Sequence, residues 1–372
     1  MTALVIRPTA AAALGATALL LGGCELGPKI SQQTGYRGTG LEQVVDVRTI
    51  REAAAIPPPA YALPEDTGPL ASETYQNVKV LGNVSTERFN HLMAQMNQWV
   101  VPADAPASEQ GCNYCHNAEN MASDEKYTKI VARRMLQMTR AINTRWSSHV
   151  QNTGVTCYTC HRGNAVPEYK WSLAEGTPDP RTIRGNKRGQ NSPNVNVGYA
   201  ALPYDPFADY LNGNGEIRVA SSSAYPSPNN VASTKDAEKS YGLMMHVSSA
   251  LGVNCTYCHN SQSFRAWNLS RAQRSTAYYG IRMVRDVNVD YINPLQSVFP
   301  ANRKGPHGDP YKVNCTTCHQ GLSKPLGGVS MLDQAPALKG PPTAVAQPEG
   351  GAGAATAVPA AFARPGAMTD DK

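Results

Sequence analysis

The pentapeptide Cys-x-x-Cys-His occurs four times in this chain, beginning at Cys112, Cys157, Cys255 and Cys315. Chemistry sets that spacing: two thiols add to the two vinyl groups on one edge of a porphyrin, and the adjacent His reaches the iron from one face. The four copies predict four covalently bound haem c groups, attached through Cys112, Cys115, Cys157, Cys160, Cys255, Cys258, Cys315 and Cys318. The proximal iron ligands are then His116, His161, His259 and His319. Zinc sites and thioredoxin-like redox pairs are poorer accounts, because neither requires a His directly after the second cysteine in every copy. Only five Phe stand in 372 residues, so something other than aromatic packing fills part of the interior.

The motif histidines are separated by 45, 98 and 60 positions, which reads as two pairs and hence as a duplication. Three motifs share a leader: Gly154-Val155-Thr156, Gly252-Val253-Asn254 and Lys312-Val313-Asn314. The expected fold is mainly α with long loops, a multihaem cytochrome of two pseudo-symmetric halves, each binding a pair of c-type haems. Residues 84–163 form the first half and 233–332 the second. Residues 24–83 are an N-terminal anchor and extended segment. Residues 164–232, rich in Pro, Gly, Asn and Ser, read as a connection with little helix. Residues 333–372 are dominated by Ala, Pro and Gly and read as a flexible tail.

Residues 1–23 have the pattern of a secretory signal: Arg7 is followed by an apolar stretch from Ala10 to Leu21, too short to span a bilayer comfortably. The sequence Leu21-Gly22-Gly23-Cys24 resembles the bacterial lipobox, whose cysteine becomes lipid-modified. Acylation of Cys24 accounts for the ninth, unpaired cysteine and tethers the body to a membrane outside the cytoplasm. The formal charge is +6 without a long basic run, so nucleic acid is not an expected partner. With the signal removed and about eight haem propionates added, the total falls to about −3 when reduced.

Distal ligands separate a carrier from an enzyme: a haem with a second protein ligand transfers electrons, whereas an open iron binds or activates small molecules. A helix is predicted from Ser85 to about Val100, and Met93 or Met96 on it can reach the first iron. A second helix runs from Glu125 to about His149 with Met135 and Met138, and a third from Thr234 to Leu251 with Met244, Met245 and His246. The fourth motif lacks such a helix immediately upstream. Met283, or one of the histidines outside the motifs (His91, His149, His246, His307), is its candidate, and His149 is the best placed of these.

These residues resemble the tetrahaem cytochrome subunit of purple-bacterial photosynthetic reaction centres. The resemblance covers about 24–332. It rests on Val131 to Leu136, Met138 to Asn143, Gly154 to Gly163, Tyr241 to Met245 and Leu251 to Cys255. It implies distal ligands Met93, Met135 and Met244 for the first three haems and His149 opposite His319 for the fourth. It further implies electron transfer from a soluble cytochrome c or high-potential iron–sulfur protein, through four haems, to the photo-oxidised bacteriochlorophyll pair carried by the reaction-centre membrane subunits. In that family the third haem lies closest to the pair, and Arg274 and Arg282 match arginines placed near it. The subunit then sits at the periplasmic face of the inner membrane. Acidic residues near the first motif, Asp104, Glu109, Glu119, Asp124 and Glu125, are a candidate guide for a basic donor. A membrane-anchored periplasmic tetrahaem carrier for respiration is the alternative reading, and a multihaem enzyme would need an open iron.

Overall fold

The computed structural model describes residues 27–33, 42–173, 194–202, 205–217, 219 and 234–340. The expected signal segment, Cys24, most of the connecting segment and residues 341–372 lie outside the described residues. Helices α1 (Val47–Ala54), α2 (Ala71–Thr74), α3 (Thr86–Val100), α4 (Tyr127–Arg145) and α5 (Ser147–Val150) precede the second motif. That motif is itself a short helix, α6 (Cys157–His161), followed by α7 (Phe207–Leu211), α8 (Thr234–Leu251) and α9 (Ala272–Asp286). The fourth motif forms α10 (Cys315–His319). Strands β1 (Lys29–Gln33) and β2 (Glu42–Asp46) make an antiparallel hairpin. The two-residue strands β3 (Lys170–Trp171) and β4 (Lys312–Val313) tie the chain after the second motif to the chain before the fourth.

The long helices form where the apolar period of 3.6 predicts them, because a helix of this length is held by packing one face rather than by propensity alone. α3 buries Leu92, Met96 and Trp99 in one core cluster with Leu136 of α4 and Leu326, Met331 and Leu332 from the C-terminal side. A second cluster gathers Ile142, Val155, Trp171, Phe207, Leu211, Leu243 and Val287, so residues from both expected halves share it. Ser85 caps α3 by position only; its hydroxyl makes no capping hydrogen bond.

The packed body continues past the expected start of the tail. Ala335 and Leu338 are buried in the first cluster, and the Asn143 side-chain amide donates to the Leu338 carbonyl at 3.0 Å. Composition missed this because a short 3-10 segment (Pro336–Lys339) needs only one or two apolar anchors once a preformed groove receives them. Two of the histidines offered as candidates for the fourth iron are packing residues instead. His91, buried on α3, bonds through Nε2 to the Tyr61 carbonyl at 3.0 Å and pins the N-terminal segment. His246, buried on α8, packs edge-on against Phe207 at 4.5 Å between ring centres.

Asp124 draws the loop after the first motif onto α4. Its carboxylate meets the Arg133 guanidinium at 2.8 Å, Lys129 Nζ at 3.4 Å, Lys79 Nζ at 3.5 Å and the Asn77 amide at 2.8 Å. Arg133 above all holds this carboxyl well below the ordinary carboxylate range. Because the folded value is depressed, the network stabilises the protein above the ordinary pKa of 3.8 and is lost as pH falls through and below it. Asp124→Asn therefore lowers Tm at neutral pH and flattens the acid limb of a Tm-against-pH curve. Leu338→Ala costs about 2–5 kcal/mol in denaturant unfolding of the holoprotein, the range for emptying a fully buried leucine site.

Candidate haem sites

The four motifs adopt two local geometries. In the first and third, the cysteines open 3-10 turns, Gly111–Tyr114 and Cys255–Tyr257, and the motif His amide donates back to the first cysteine carbonyl, His116 to Cys112 at 2.9 Å and His259 to Cys255 at 3.0 Å. In the second and fourth the motif is the helix itself. There the residue before the first cysteine pairs reciprocally with a threonine: the Thr156 amide donates to Thr159 Oγ1 at 3.0 Å, and the Asn314 amide to Thr317 Oγ1 at 2.9 Å. Both helices end in left-handed residues, Arg162 and Gln320, each followed by a glycine with φ of 82° and 83°. Those glycine amides reach the ends of the long helices, Gly163 to Trp99 and Gly321 to Ala250, both at 2.8 Å.

Every motif histidine is oriented in the same way. His116 Nδ1 bonds to the Met121 carbonyl at 2.9 Å, His161 to Asn164 at 2.8 Å, His259 to Phe264 at 3.1 Å and His319 to Leu322 at 2.9 Å. A carbonyl only accepts, so each Nδ1 carries the proton and each Nε2 presents a lone pair, the form an iron ligand needs. Burial keeps the His161, His259 and His319 rings neutral, with His319 lowered to about 4. The thiols sit where charge is disfavoured. Burial pushes Cys115 and Cys258 up to about 11 and Cys157 and Cys315 up to about 12. A neutral thioether suits such surroundings better than the thiolate that zinc requires. Among the described residues no three His, Cys, Asp or Glu side chains converge as a metal-ion site would need.

Two motifs face a second candidate ligand. A cavity of about 160 Å³, lined largely by apolar side chains, lies between α4 and the second motif. Met135 and Met138 line it together with Cys157, Cys160 and His161, and Met96 and Cys115 border it as well. At the fourth motif the His149 and His319 rings stand 6.1 Å apart between centroids, and His149 Nδ1 bonds to the Thr276 carbonyl at 2.9 Å. Two imidazoles ligating one metal at about 2.0–2.1 Å, each nitrogen about 1.1 Å from its ring centre, have centroids about 6.3 Å apart. The residues therefore fit a bis-imidazole haem. Met93 and Met244 are half-buried on α3 and α8, packed against the first and second core clusters. Met96 and Met283 are buried outright. The Cys160 and Cys318 side chains are neighbours, so the second and fourth motifs adjoin.

Some side chains around the sites were not evident from the motifs. The Asn143 side chain clamps Val155, donating to its carbonyl at 2.9 Å and accepting from its amide at 2.8 Å. Asn288 does the same to Val313, with both bonds at 2.9 Å. Each clamped valine stands two residues before its cysteine pair, so α4 and the π-helical turn Val287–Ile292 that continues α9 hold the second and fourth motifs directly. The matching offsets of the two asparagines from the starts of α4 and α9 are the signal that a half-against-half comparison would have found. Arg274 donates to the Arg265 and Ala266 carbonyls and to Ser270 and lies over Trp267 at 4.0 Å. Arg282 lies over Tyr278 at 3.6 Å. Both are fixed by the loop and helix after the third motif rather than freely solvated.

Residues 25–339 match the family described as the photosynthetic reaction centre cytochrome c subunit. A curated relative named "Photosynthetic reaction center cytochrome c subunit" from Rubrivivax gelatinosus is 47% identical over 92% of this chain and 93% of its own length. Relatives of the same name from Thermochromatium tepidum and Roseobacter denitrificans are 45% and 37% identical, over 95% and 83% of this chain and 86% and 85% of their own lengths. With this agreement along nearly the whole packed body, the chain belongs to the cytochrome c subunit family of photosynthetic reaction centres, electron-transfer subunits rather than enzymes.

Proposed function

We propose that this reaction-centre cytochrome carries four haem c groups in two pseudo-symmetric halves, and relays electrons from a soluble donor to the photo-oxidised bacteriochlorophyll pair. The observation that carries the reading is the pair of imidazoles at the fourth motif, His149 and His319, spaced for one iron and each tied through Nδ1 to a backbone carbonyl. In this reading Met135 lies opposite His161, Met93 opposite His116 and Met244 opposite His259. Support for Met93 over Met96 comes from comparing the helices. Trp99 and Ala250 receive the equivalent glycine amides, and Met93 and Met244 each stand six residues before them. Met96 packs in the core with Leu92 and Trp99 and also lines the cavity that Cys115 borders, so the equivalence of position is what favours Met93. The paired motif geometries and the paired asparagine clamps support the duplication.

When bound, each haem supplies reversible one-electron exchange between ferrous and ferric iron, and no bond is made or broken elsewhere. The chain's own residues do the tuning. The carbonyls that accept from Nδ1 fix each proximal ring and strengthen its donor nitrogen. Methionine sulfur favours the reduced iron relative to a second imidazole. The apolar wall between α4 and the second motif excludes water and so sets the local dielectric.

A soluble cytochrome c or a high-potential iron–sulfur protein is the proposed donor, docking near the first motif. Asp124 contributes less to an acidic docking patch than its position in sequence implies, because Arg133, Lys129 and Lys79 already neutralise it. Asp104, Glu109 and Glu119 carry that part. The proposed location is the periplasmic face of the inner membrane, anchored through lipid on Cys24. Among the described residues no helix is long and apolar enough to cross a membrane, which is consistent with a tether.

Two experiments test this reading. In membranes with the high-potential haems reduced, a flash oxidises haem within microseconds, in step with recovery of the bleached bacteriochlorophyll pair. No flash-linked haem signal in membranes containing the holoprotein and active reaction centres contradicts the relay. Met135→Ala retains four covalent haems by the pyridine haemochrome assay and opens one reduced iron to carbon monoxide; unchanged ligation removes Met135 from the set.

A further inference from the structure

The asparagine clamps fix a residue-by-residue register between α4 and α9. Tyr127 and Ala272 open the two helices, and Asn143 and Asn288 clamp the valines ahead of the second and fourth motifs. Both pairs are 145 positions apart, so the helices correspond without insertion from their first turn to the clamp. In that register Met138 corresponds to Met283, Val131 to Thr276 and Met135 to Gly280. The helix position that carries the methionine facing the second motif carries no side chain in front of the fourth.

Gly280 is buried in α9, and the space a side chain would take is filled by His149. A Cβ at Gly280 would stand 2.5 Å from Cε1, 2.7 Å from Nδ1 and 3.1 Å from Nε2 of that imidazole. Real Cβ atoms do not approach other atoms so closely. One helical turn earlier, the Thr276 carbonyl takes the His149 Nδ1 proton at 2.9 Å. Glycine in a helix interior weakens the helix relative to alanine, so its presence here calls for a local reason. Contact with the His149 ring is that reason.

We propose that Gly280 is the positioning residue for the sixth ligand of the haem attached at Cys315 and Cys318. Its missing side chain empties the methionine position of the duplicated helix and lets His149, from the first half, seat its ring against the α9 backbone. The proposal rests on the reading of His149 as an iron ligand and goes beyond it, since it states why the second half does not use a ligand from its own helix. It also predicts that a local methionine ligand can be restored.

The test uses three variants of the full holoprotein, each checked for four covalent haems. His149→Ala opens one reduced iron to carbon monoxide. In His149→Ala/Gly280→Met, carbon monoxide binding at that iron is lost again, the red charge-transfer band of methionine–iron ligation in the oxidised protein grows by about one third over wild type, and the potential of that haem rises above its wild-type value. Gly280→Ala, which keeps His149 but adds the clashing methyl, loses the bis-imidazole electron paramagnetic resonance signal of one haem. Retained carbon monoxide binding in an assembled double variant, or a Gly280→Ala spectrum identical to wild type, overturns the proposal. If the double variant does not assemble four haems, Gly280→Ala decides alone. A His149→Ala protein with no newly open iron overturns instead the ligand reading beneath it.

Discussion

The two asparagine clamps are the interaction on which the rest of this architecture depends. A short cysteine-bearing helix has too few residues to hold its own orientation, since an isolated helical turn costs more chain entropy than its hydrogen bonds return. Asn143 and Asn288 remove that freedom by pairing with both backbone groups of Val155 and Val313, so the second and fourth motifs inherit the rigidity of α4 and of the π-helical turn that continues α9. Each asparagine spends its second amide proton on a distant carbonyl, Leu338 for Asn143 and Leu211 for Asn288. One side chain thus links a motif, a long helix and a third segment of chain, and leaves no buried amide hydrogen unpaired.

From that frame the ligand geometry follows. The motif histidines are held through Nδ1 by carbonyls three residues on in the helical motifs and five residues on in the 3-10 motifs. This leaves all four Nε2 atoms facing their sites in one protonation form. A family of electron-transfer subunits gains from such fixed donors, because ligands that do not move between oxidation states keep the cost of each transfer small. The approach of His149 to His319, the short β3–β4 ladder and the mixed second core cluster tie the chain around the second motif to the chain around the fourth.

Much of this was legible in the sequence, and the illegible part has physical reasons. The motif chemistry gave the cofactor class, and the 3.6-residue period gave α3, α4 and α8, except that α4 ends at Arg145 and His149 lies on the separate short helix α5 rather than at the end of α4. Residues that act by contact across long sequence separations were not legible in the same way. Leu338 looked like part of a flexible tail because its neighbours are Ala, Pro, Lys and Gly, yet it is fully buried against the first cluster. Asp124 looked like one charge of an acidic patch, but three cations from α4 and the preceding segment surround it. Gly280 carries no signal in the sequence, because its reason is contact with His149, more than a hundred residues away.

The central claim is the ligand set: three haems with one histidine and one methionine, and one with two histidines. Near-infrared magnetic circular dichroism of the fully oxidised holoprotein reads this directly, because methionine–histidine and bis-histidine low-spin ferric haems give charge-transfer bands at separate energies whose intensities count the haems. The account predicts bands in a ratio of three to one, with no high-spin component. Two bis-histidine haems, four methionine-ligated haems or a high-spin signal would contradict it.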